Sequence, residues 1–452
     1  MTKSLKNLWG RFLFQDRGIL PTRRLLVVFL ILTFGLLFAT LWEISWIVVF
    51  ATNIFVLLLS LLDVTLSPRQ TELIITRSLP EEMERNITYT VQVEIQNNSK
   101  YAFTYRLVDG IPQSFDQPFP LGGVALTGTK THIAYETFAP VRGKYHINKL
   151  YFRYTSRLGL WEKQTTASLE DSVKVIPDLT ETKQYLENAQ QFLLYEGLKI
   201  KKQQSGVGEF AKIRSYVVGD DPRKINWLQT AKLQEVMTNE YEPEHGKYIT
   251  ILIDCGRLMG AELSNGNRLE KALEAALTVM TAALQKGDYV AVLAFSKDIK
   301  AYVPPAKGMS HFQTIVRAIY NLEVEANESN YAAVLDYLQT VQKKRSLLLL
   351  FSDVRTFLYE ESTLLYLKRL RQKHLFLMIG VEDETLLATT KQEPDTVQKA
   401  MEKSVAQQQM LVKKREKIKW EKQGLQLVEA SEEKLATVAV SHYIDRINRG
   451  LL

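Results

Sequence analysis

Between residues 25 and 62 the chain is almost without charge, and that run constrains the fold more than any other feature. Residues 25–42 hold no charged side chain, nor do residues 46–62, and only Glu43-Ile44-Ser45 separates the two stretches. At about 1.5 Å per residue each stretch spans roughly 26 Å as a helix, close to the ~30 Å hydrocarbon core of a bilayer. The expectation is a transmembrane helical hairpin, with Glu43 and the indoles of Trp42 and Trp46 at the far interface. Lys3, Lys6, Arg11, Arg17, Arg23 and Arg24 precede the first stretch, against Asp16 alone. The excess of basic residues puts segment 1–24 in the cytoplasm, and two crossings return the rest of the chain to the same side. A cleaved signal peptide is the competing reading, but the apolar run is about three times a signal core and no small-x-small pattern follows it. On the cytoplasmic side the Asn86, Asn97 and Asn327 sequons are chance matches.

Lys and Arg total 57 against 50 Asp and Glu, a formal net charge of +7 in 452 residues. The excess is too dispersed to imply a nucleic-acid partner, though it suits a neighbour of an anionic membrane. Cys255 is the single cysteine and no histidine pair has HExxH spacing. Intrachain disulfides, zinc fingers and zinc hydrolases are therefore excluded.

Residues 71–176 alternate with period two. Val91, Val93 and Ile95 interleave with polar side chains, Asn97-Asn98-Ser99 supplies a turn, and Phe103, Tyr105 and Leu107 resume the pattern. The expectation is a hairpin with one wet face inside a small β-sandwich, with Tyr89, Phe103, Tyr151 and Phe152 in its core. Nothing in this stretch forms a catalytic constellation, so it reads as a spacer or docking module.

From residue 248 short apolar strands alternate with amphipathic helices, the pattern of an open parallel sheet. Strands are expected over 249–255, 289–295, 347–351, 375–379 and 425–428. Helices are expected over 268–286, 309–322, 331–343, 364–372, 395–423 and 432–448. The basic end of the 395–423 helix, from Lys413 to Lys422, suits the helix dipole and a solvated face. Ligands in such sheets sit beyond the carboxyl ends of the strands, where Asp254 and Asp353 fall. Asp254 after an apolar strand, with Asp353 closing a later one, resembles the von Willebrand factor A fold and its metal-ion-dependent adhesion site. That family pattern is Asp-x-Ser-x-Ser, with a Thr and a second Asp from later loops, a hard-oxygen set suited to Mg²⁺. Here the run is Asp254-Cys255-Gly256-Arg257-Leu258, so both serine positions lack an oxygen. Ser329 stands near the threonine position. The resemblance therefore implies a degenerate metal site of Asp254, Ser329 and Asp353, with at most weak Mg²⁺ binding and no resident cofactor. Cys255 reads as a small buried thiol.

The segment Glu209-Phe210, Arg214-Ser215-Tyr216-Val217-Val218-Gly219-Asp220, Arg223-Lys224-Ile225-Asn226-Trp227 resembles the signature of the domain of unknown function 58 family. The order of the apolar hairpin, the β module with Arg142-Gly143-Lys144-Tyr145, the Leu158-Gly159-Leu160-Trp161 run and the A-type domain resembles it too. The family usually has Asp where Asn226 stands, which removes a charge but keeps hydrogen bonding. Two readings of the paired charges here stay open: a polar network that rigidifies a loop, or a docking surface on which Arg214 and Arg223 present planar forks to partner carboxylates. Glu209, Arg214, Tyr216, Gly219, Asp220, Arg223, Asn226 and Trp227 are its candidate residues. The Gly206-x-Gly208-x-x-Ala211 echo of a dinucleotide fingerprint follows a basic run rather than a strand, and no P-loop is present.

The expected architecture is a basic N-terminus (1–24), a transmembrane hairpin (25–62), a β-sandwich (71–176), a linker helix with the signature (177–247) and a von Willebrand factor A-like, Rossmann-type α/β domain (248–452). The resemblance implies a multi-pass protein of the bacterial inner membrane whose main soluble part is cytoplasmic. It also implies a non-enzymatic adaptor for other proteins, commonly a MoxR-type AAA+ ATPase. The alternative is a weak Mg²⁺-dependent sensor.

Overall fold

The computed structural model describes residues 18–39, 41, 45–196, 209–242, 246–355 and 361–449. Trp42, Glu43, the basic residues up to Arg17 and the Gly206–Gly208 echo lie outside them. The chain divides into two units, Met1–Ile176 and Pro177–Leu452.

In the first unit a short strand β1 (Gly18–Pro21) leads into α1 (Arg23–Ala39), followed by α2 (Trp46–Ser60) and a single turn α3 (Leu62–Thr65). Thr33 on α1 donates to Asn53 Oδ1 on α2 at 3.1 Å. Apolar side chains stand outward on both, among them Ile31 and Phe34 on α1 and Ile47 and Phe50 on α2. Among the described residues one helical run, Trp46–Glu72, is long and apolar enough to cross a membrane. The first expected span yields a helix of 17 residues.

Eight further strands follow: β2 (Leu73–Ser78), β3 (Glu82–Glu84), β4 (Tyr89–Asn97), β5 (Phe103–Asp109), β6 (Leu121–Ala125), β7 (Lys130–Thr137), β8 (Gly143–Thr155) and β9 (Trp161–Ile176). One sheet runs β1-β9-β8-β5-β6 with β3 beside β9, and the other runs β2-β4-β7. Val91, Val93 and Ile95 from the smaller sheet share one apolar core with Phe103, Leu107 and Phe152 from the larger. The expected β4–β5 hairpin is not formed, because the two strands belong to different sheets. The reason lies in Asn97, whose fully buried amide donates to the carbonyls of Tyr101 at 2.9 Å and Leu126 at 3.0 Å, and so turns the chain across the core instead of back along β4. Tyr151, expected in the core, faces outward, since alternation along β8 buries Leu150 and Phe152 instead.

A buried cation links the two sheets. Arg77 on β2 bonds Asp109 on β5, reaches Asp171 on β9 at 2.8 Å through Nε, and donates to the Ile147 carbonyl. Tyr135 on β7 donates to the second Asp109 oxygen at 2.7 Å. Both members of the Arg77–Asp109 pair are fully buried, so each needs the other to offset lost hydration.

The second unit opens with α4 (Thr180–Glu196), then a small antiparallel ribbon of β10 (Glu209–Ser215) and β11 (Met237–Glu242) flanking α5 (Trp227–Leu233). The remainder runs β12 (Tyr248–Asp254), a two-residue ribbon β13 (Glu262–Leu263) and β14 (Gly266–Asn267), α6 (Arg268–Gln285), β15 (Tyr289–Phe295), β16 (Ile299–Ala306), α7 (Met309–Ile319), α8 (Tyr331–Val341), β17 (Ser346–Phe351), α9 (Glu361–Arg371), β18 (Leu375–Val381), α10 (Glu384–Lys391), α11 (Val397–Lys422), β19 (Gln426–Ala430) and α12 (Leu435–Asn448). The six-stranded sheet has the order β16-β15-β12-β17-β18-β19, with β16 antiparallel and every other pairing parallel. Leu252, Leu348, Leu350 and Met378 pack against Tyr331, Leu335, Leu370 and Trp420 on one face. α6, nearly all of its side chains buried, lies against the sheet together with α7 and α12. Burial on both faces explains why β12, β15 and β17 are continuous apolar runs. The edge strand β16, the two-residue ribbon of β13 and β14 and the short helix α10 were not anticipated.

Two measurements test these buried groups. Asp109→Ala removes the fully buried partner of Arg77, leaves Asp171 as its counter-charge, and is expected to cost about 1–3 kcal/mol in denaturant unfolding. In the second unit, His374 accepts from the Ser346 amide at 3.2 Å and hydroxyl at 2.8 Å, and burial pushes its pKa down from 6.5 to about 4. Because the fold favours the neutral ring, its contribution is complete above pH 6.5 and is lost as pH falls toward 4, by an amount on the order of 3 kcal/mol. A His374→Gln variant is expected to flatten that window of the stability–pH curve.

Candidate functional site

The parallel register brings the carboxyl ends of β12, β15, β17 and β18 to one edge, where the sequence places its acids. Asp254 is buried there, and both its oxygens are filled. Oδ1 accepts from the Gly256 amide at 2.8 Å and from the Ser329 hydroxyl; Oδ2 accepts from Tyr331 at 2.9 Å and from Ser352. Tyr331 and Ser352 are themselves 2.8 Å apart. A carboxylate offers about four acceptor sites, and this one uses them all internally. Burial pushes the Asp254 pKa up and the four donors pull it back, leaving it raised. Burial first, then the Asp254 charge, carries the Tyr331 phenol far above its ordinary range.

The same knot straps loops together. The Glu325 amide donates to the Cys255 carbonyl at 2.8 Å, Arg257 to Asn327 at 3.0 Å, and Asn330 to Ser296 at 2.9 Å. Asn330 also caps α8 through the Ala333 amide, which aims Tyr331 at Asp254 from the first helical turn. Gly256 permits this closure, because a Cβ built there would fall on the Ser329 hydroxyl. Cys255 is fully buried.

Asp353 does not join Asp254. It is bonded by Arg268, the first residue of α6, whose side chain is 7% exposed; Arg268 also approaches Asp383 at 3.6 Å, and Arg355 approaches the same carboxylate at 3.4 Å. A Mg²⁺ ion requires near-octahedral oxygen at about 2.0–2.1 Å. The residues present fit one poorly, since four donors fill the Asp254 oxygens, position 256 offers no side-chain oxygen, and the Arg268 guanidinium bonds Asp353. Among the described residues no group of three or more His, Cys, Asp or Glu side chains is placed to hold a metal. Thus Asp254 and Ser329 meet as the sequence suggests, and Asp353 is bonded by Arg268. Tyr331, Ser352 and Arg268 went unrecognised; only the Tyr331 position, two residues after Ser329, carried any signal.

The signature segment forms the β10–α5–β11 ribbon. Arg214 grips Asp220 with both nitrogens at 2.8 Å, Asp220 accepts the Val217 amide at 3.0 Å, and Tyr216 donates to the Asp220 carbonyl at 3.1 Å. The Arg214 hydrogen bonds hold the Asp220 carboxyl below its usual value. Gly219 takes a φ of +111° at the tip, a conformation other residues resist. Asp221 caps a 3-10 turn opened by Pro222 through the Arg223 amide, and Asn226 caps α5 through the Gln229 amide at 3.1 Å. The Asn226 amide also bonds Asn239 at 2.9 Å, so hydrogen bonding survives at this position. Of the two readings of the paired charges, Arg214 follows the loop network: its guanidinium is bonded to Asp220 within the loop. The Glu209 side chain lies outside the described residues.

What the charge-centred reading missed is apolar. Val217 is 61% exposed, Val218 97%, Trp227 69% and Leu228 79%. The signal was present as Val-Val beside the Gly-Asp turn and Trp-Leu at a helix start, but exposure is a property of the fold.

Residues 212–414 match a family model described as a protein of unknown function, DUF58. The chain is 25% identical over 203 residues to the uncharacterized protein YeaD of Bacillus subtilis, a match covering 44% of this chain and 48% of YeaD, so it spans about half the length of that relative. Among solved structures it is similar to the conserved hypothetical protein BatB from Bacteroides thetaiotaomicron, with TM-score 0.30, 11% identity, and coverage of 45% of this chain and 100% of that one. A PapD-like domain of human CEP192 covers 24% of this chain and 89% of its own, at TM-score 0.18 and 16% identity.

The Asp254 knot makes a direct forecast. Millimolar Mg²⁺ is expected to leave the thermal midpoint of the full chain unmoved, whereas Arg268→Ala lowers stability by about 3–5 kcal/mol by removing the buried guanidinium that bonds Asp353. A Mg²⁺-dependent rise in midpoint that Asp353→Ala abolishes would restore the metal site.

Proposed function

We propose that this chain is a membrane-anchored, non-enzymatic adaptor that acts by protein docking, with the β10–α5–β11 ribbon as its partner-facing surface. In this reading α1 and α2 cross the bacterial inner membrane, the remainder is cytoplasmic, and the second unit is a von Willebrand factor A-like domain that no longer depends on a metal. The partner is a MoxR-type AAA+ ATPase, as the resemblance of the signature implies, and any nucleotide chemistry belongs to that partner. The observation that carries the reading is the exposure of Val217, Val218, Trp227 and Leu228 on a ribbon whose Arg214, Asp220 and Asn226 side chains are bonded within it. Aromatic and aliphatic side chains held outward on a rigid frame have the character of interface anchors. The sensor alternative asks Asp254, Ser329 and Asp353 to act together, and Arg268 weighs against it.

The test is a photo-crosslinking residue at Val218 in native membranes. The expected adduct is with a MoxR-type ATPase, and it is lost in a Trp227→Ser, Leu228→Ser double variant whose melting temperature matches the parent. An adduct that survives the double change, or turnover of a small substrate by the purified protein, overturns the proposal.

A further inference from the structure

The apolar helices are not loosely tethered to the β strands of the first unit. Both of their outer ends converge on one turn, residues 156–161. At the start of α1, Thr22 donates through Oγ1 to the carbonyls of Gly159 at 2.7 Å and Leu160 at 3.0 Å, and through its amide to Leu160 at 3.0 Å. At the end of α2, the buried Asp63 carboxylate accepts the Leu160 amide at 2.8 Å, the Trp161 amide at 3.1 Å and the Ser156 hydroxyl. The Trp161 indole donates to Ser60 at 3.1 Å. Gly159 meets this geometry with a φ of +69°. Wherever the ends of these helices sit in a bilayer, this turn sits with them.

Its side chains match that position. Leu158 is 56% exposed, Ile19 46% and Leu66 41%, three aliphatic groups beside the helix ends. The converging segments 18–24, 60–72 and 153–163 carry Arg23, Arg24, Arg69, Arg153, Arg157 and Lys163. Their acids are Asp63, buried under its donors, Glu72, which accepts the Arg69 amide at 2.9 Å, and Glu162. A cationic ring around exposed aliphatics is the composition that suits a layer of anionic headgroups over acyl chains.

We infer that the turn at residues 156–161 is a membrane-contacting foot. Leu158, with Ile19 and Leu66, enters the interfacial layer of the bilayer, while Arg23, Arg24 and Arg157 take the phosphates of anionic lipids, fixing the β strands of the first unit against the membrane surface. The inference rests on the reading that α1 and α2 cross the bilayer.

The test uses the full chain reconstituted in vesicles of phosphatidylcholine with or without phosphatidylglycerol. An environment-sensitive fluorophore is placed on Leu158→Cys, on Ile54→Cys within α2, or on Val141→Cys, exposed just before the far end of β8, a strand about 40 Å long; native Cys255 is buried. The expected result is a blue-shifted emission at 158, quenched by lipid spin-labelled near the headgroup and stronger with phosphatidylglycerol, and water-like emission at 141. Position 54 is expected to be quenched by deep spin labels in both lipids. If 158 behaves like 141 while 54 is quenched, the foot is wrong and the anchor stands. If 54 is not quenched, the anchor reading fails and takes the foot with it. An Arg24→Gln, Arg157→Gln variant that keeps the full phosphatidylglycerol effect overturns the headgroup assignment.

Discussion

A carboxylate withdrawn from water at the end of a parallel strand must find donors, and Asp254 finds four. That requirement organises the working edge of the second unit. It draws Ser329 and Tyr331 in from the start of α8, Ser352 from the end of β17 and the Gly256 amide from the next turn, so loops far apart in sequence become one rigid cluster. In a low-dielectric setting such a network is strong when complete and costly when one member is missing. The arrangement has the residues of a ligand site and the hydrogen bonding of a structural one.

Buried charge is handled the same way in the first unit. Arg77 meets Asp109 between the two sheets, and Asp63 is covered by amides and a hydroxyl where the apolar helices end. None of these groups faces solvent. Each converts an electrostatic penalty into a definite geometry: sheet to sheet, helix end to turn, loop to loop. On the ribbon, Arg214 and Asp220 are bonded to each other, and Val218, Trp227 and Leu228 stand exposed beside them.

Local pattern reached the strands and helices because both periodicities are written in hydrophobicity alone. The parallel strands around Ile249–Asp254 were legible as unbroken apolar runs, whereas the caps that start the helices, such as Asn267, Asn330 and Thr396, went unread. Pairing was not legible. The same alternation in β4 and β5 serves a hairpin or two strands in opposite sheets, and only the Asn97 amide, bonding across the core, separates the cases. Ion pairs were read from proximity in sequence, which left Arg214 open between a loop network and a docking fork and gave no hint that Arg268, 85 residues from Asp353, would be its partner. The Asp254–Ser329 meeting was expected from the resemblance to the adhesion-site pattern, whereas the pairing of Asp353 with Arg268 was not.

Gly256 also sets how this edge can change. A Cβ at 256 would begin against the Ser329 hydroxyl, so a larger residue there must first rotate that hydroxyl away from Asp254. The Arg268 guanidinium ties Asp353 to the start of α6 in a comparable way. A substitution at either place therefore acts on two segments at once, and the loops at this edge are constrained to vary together.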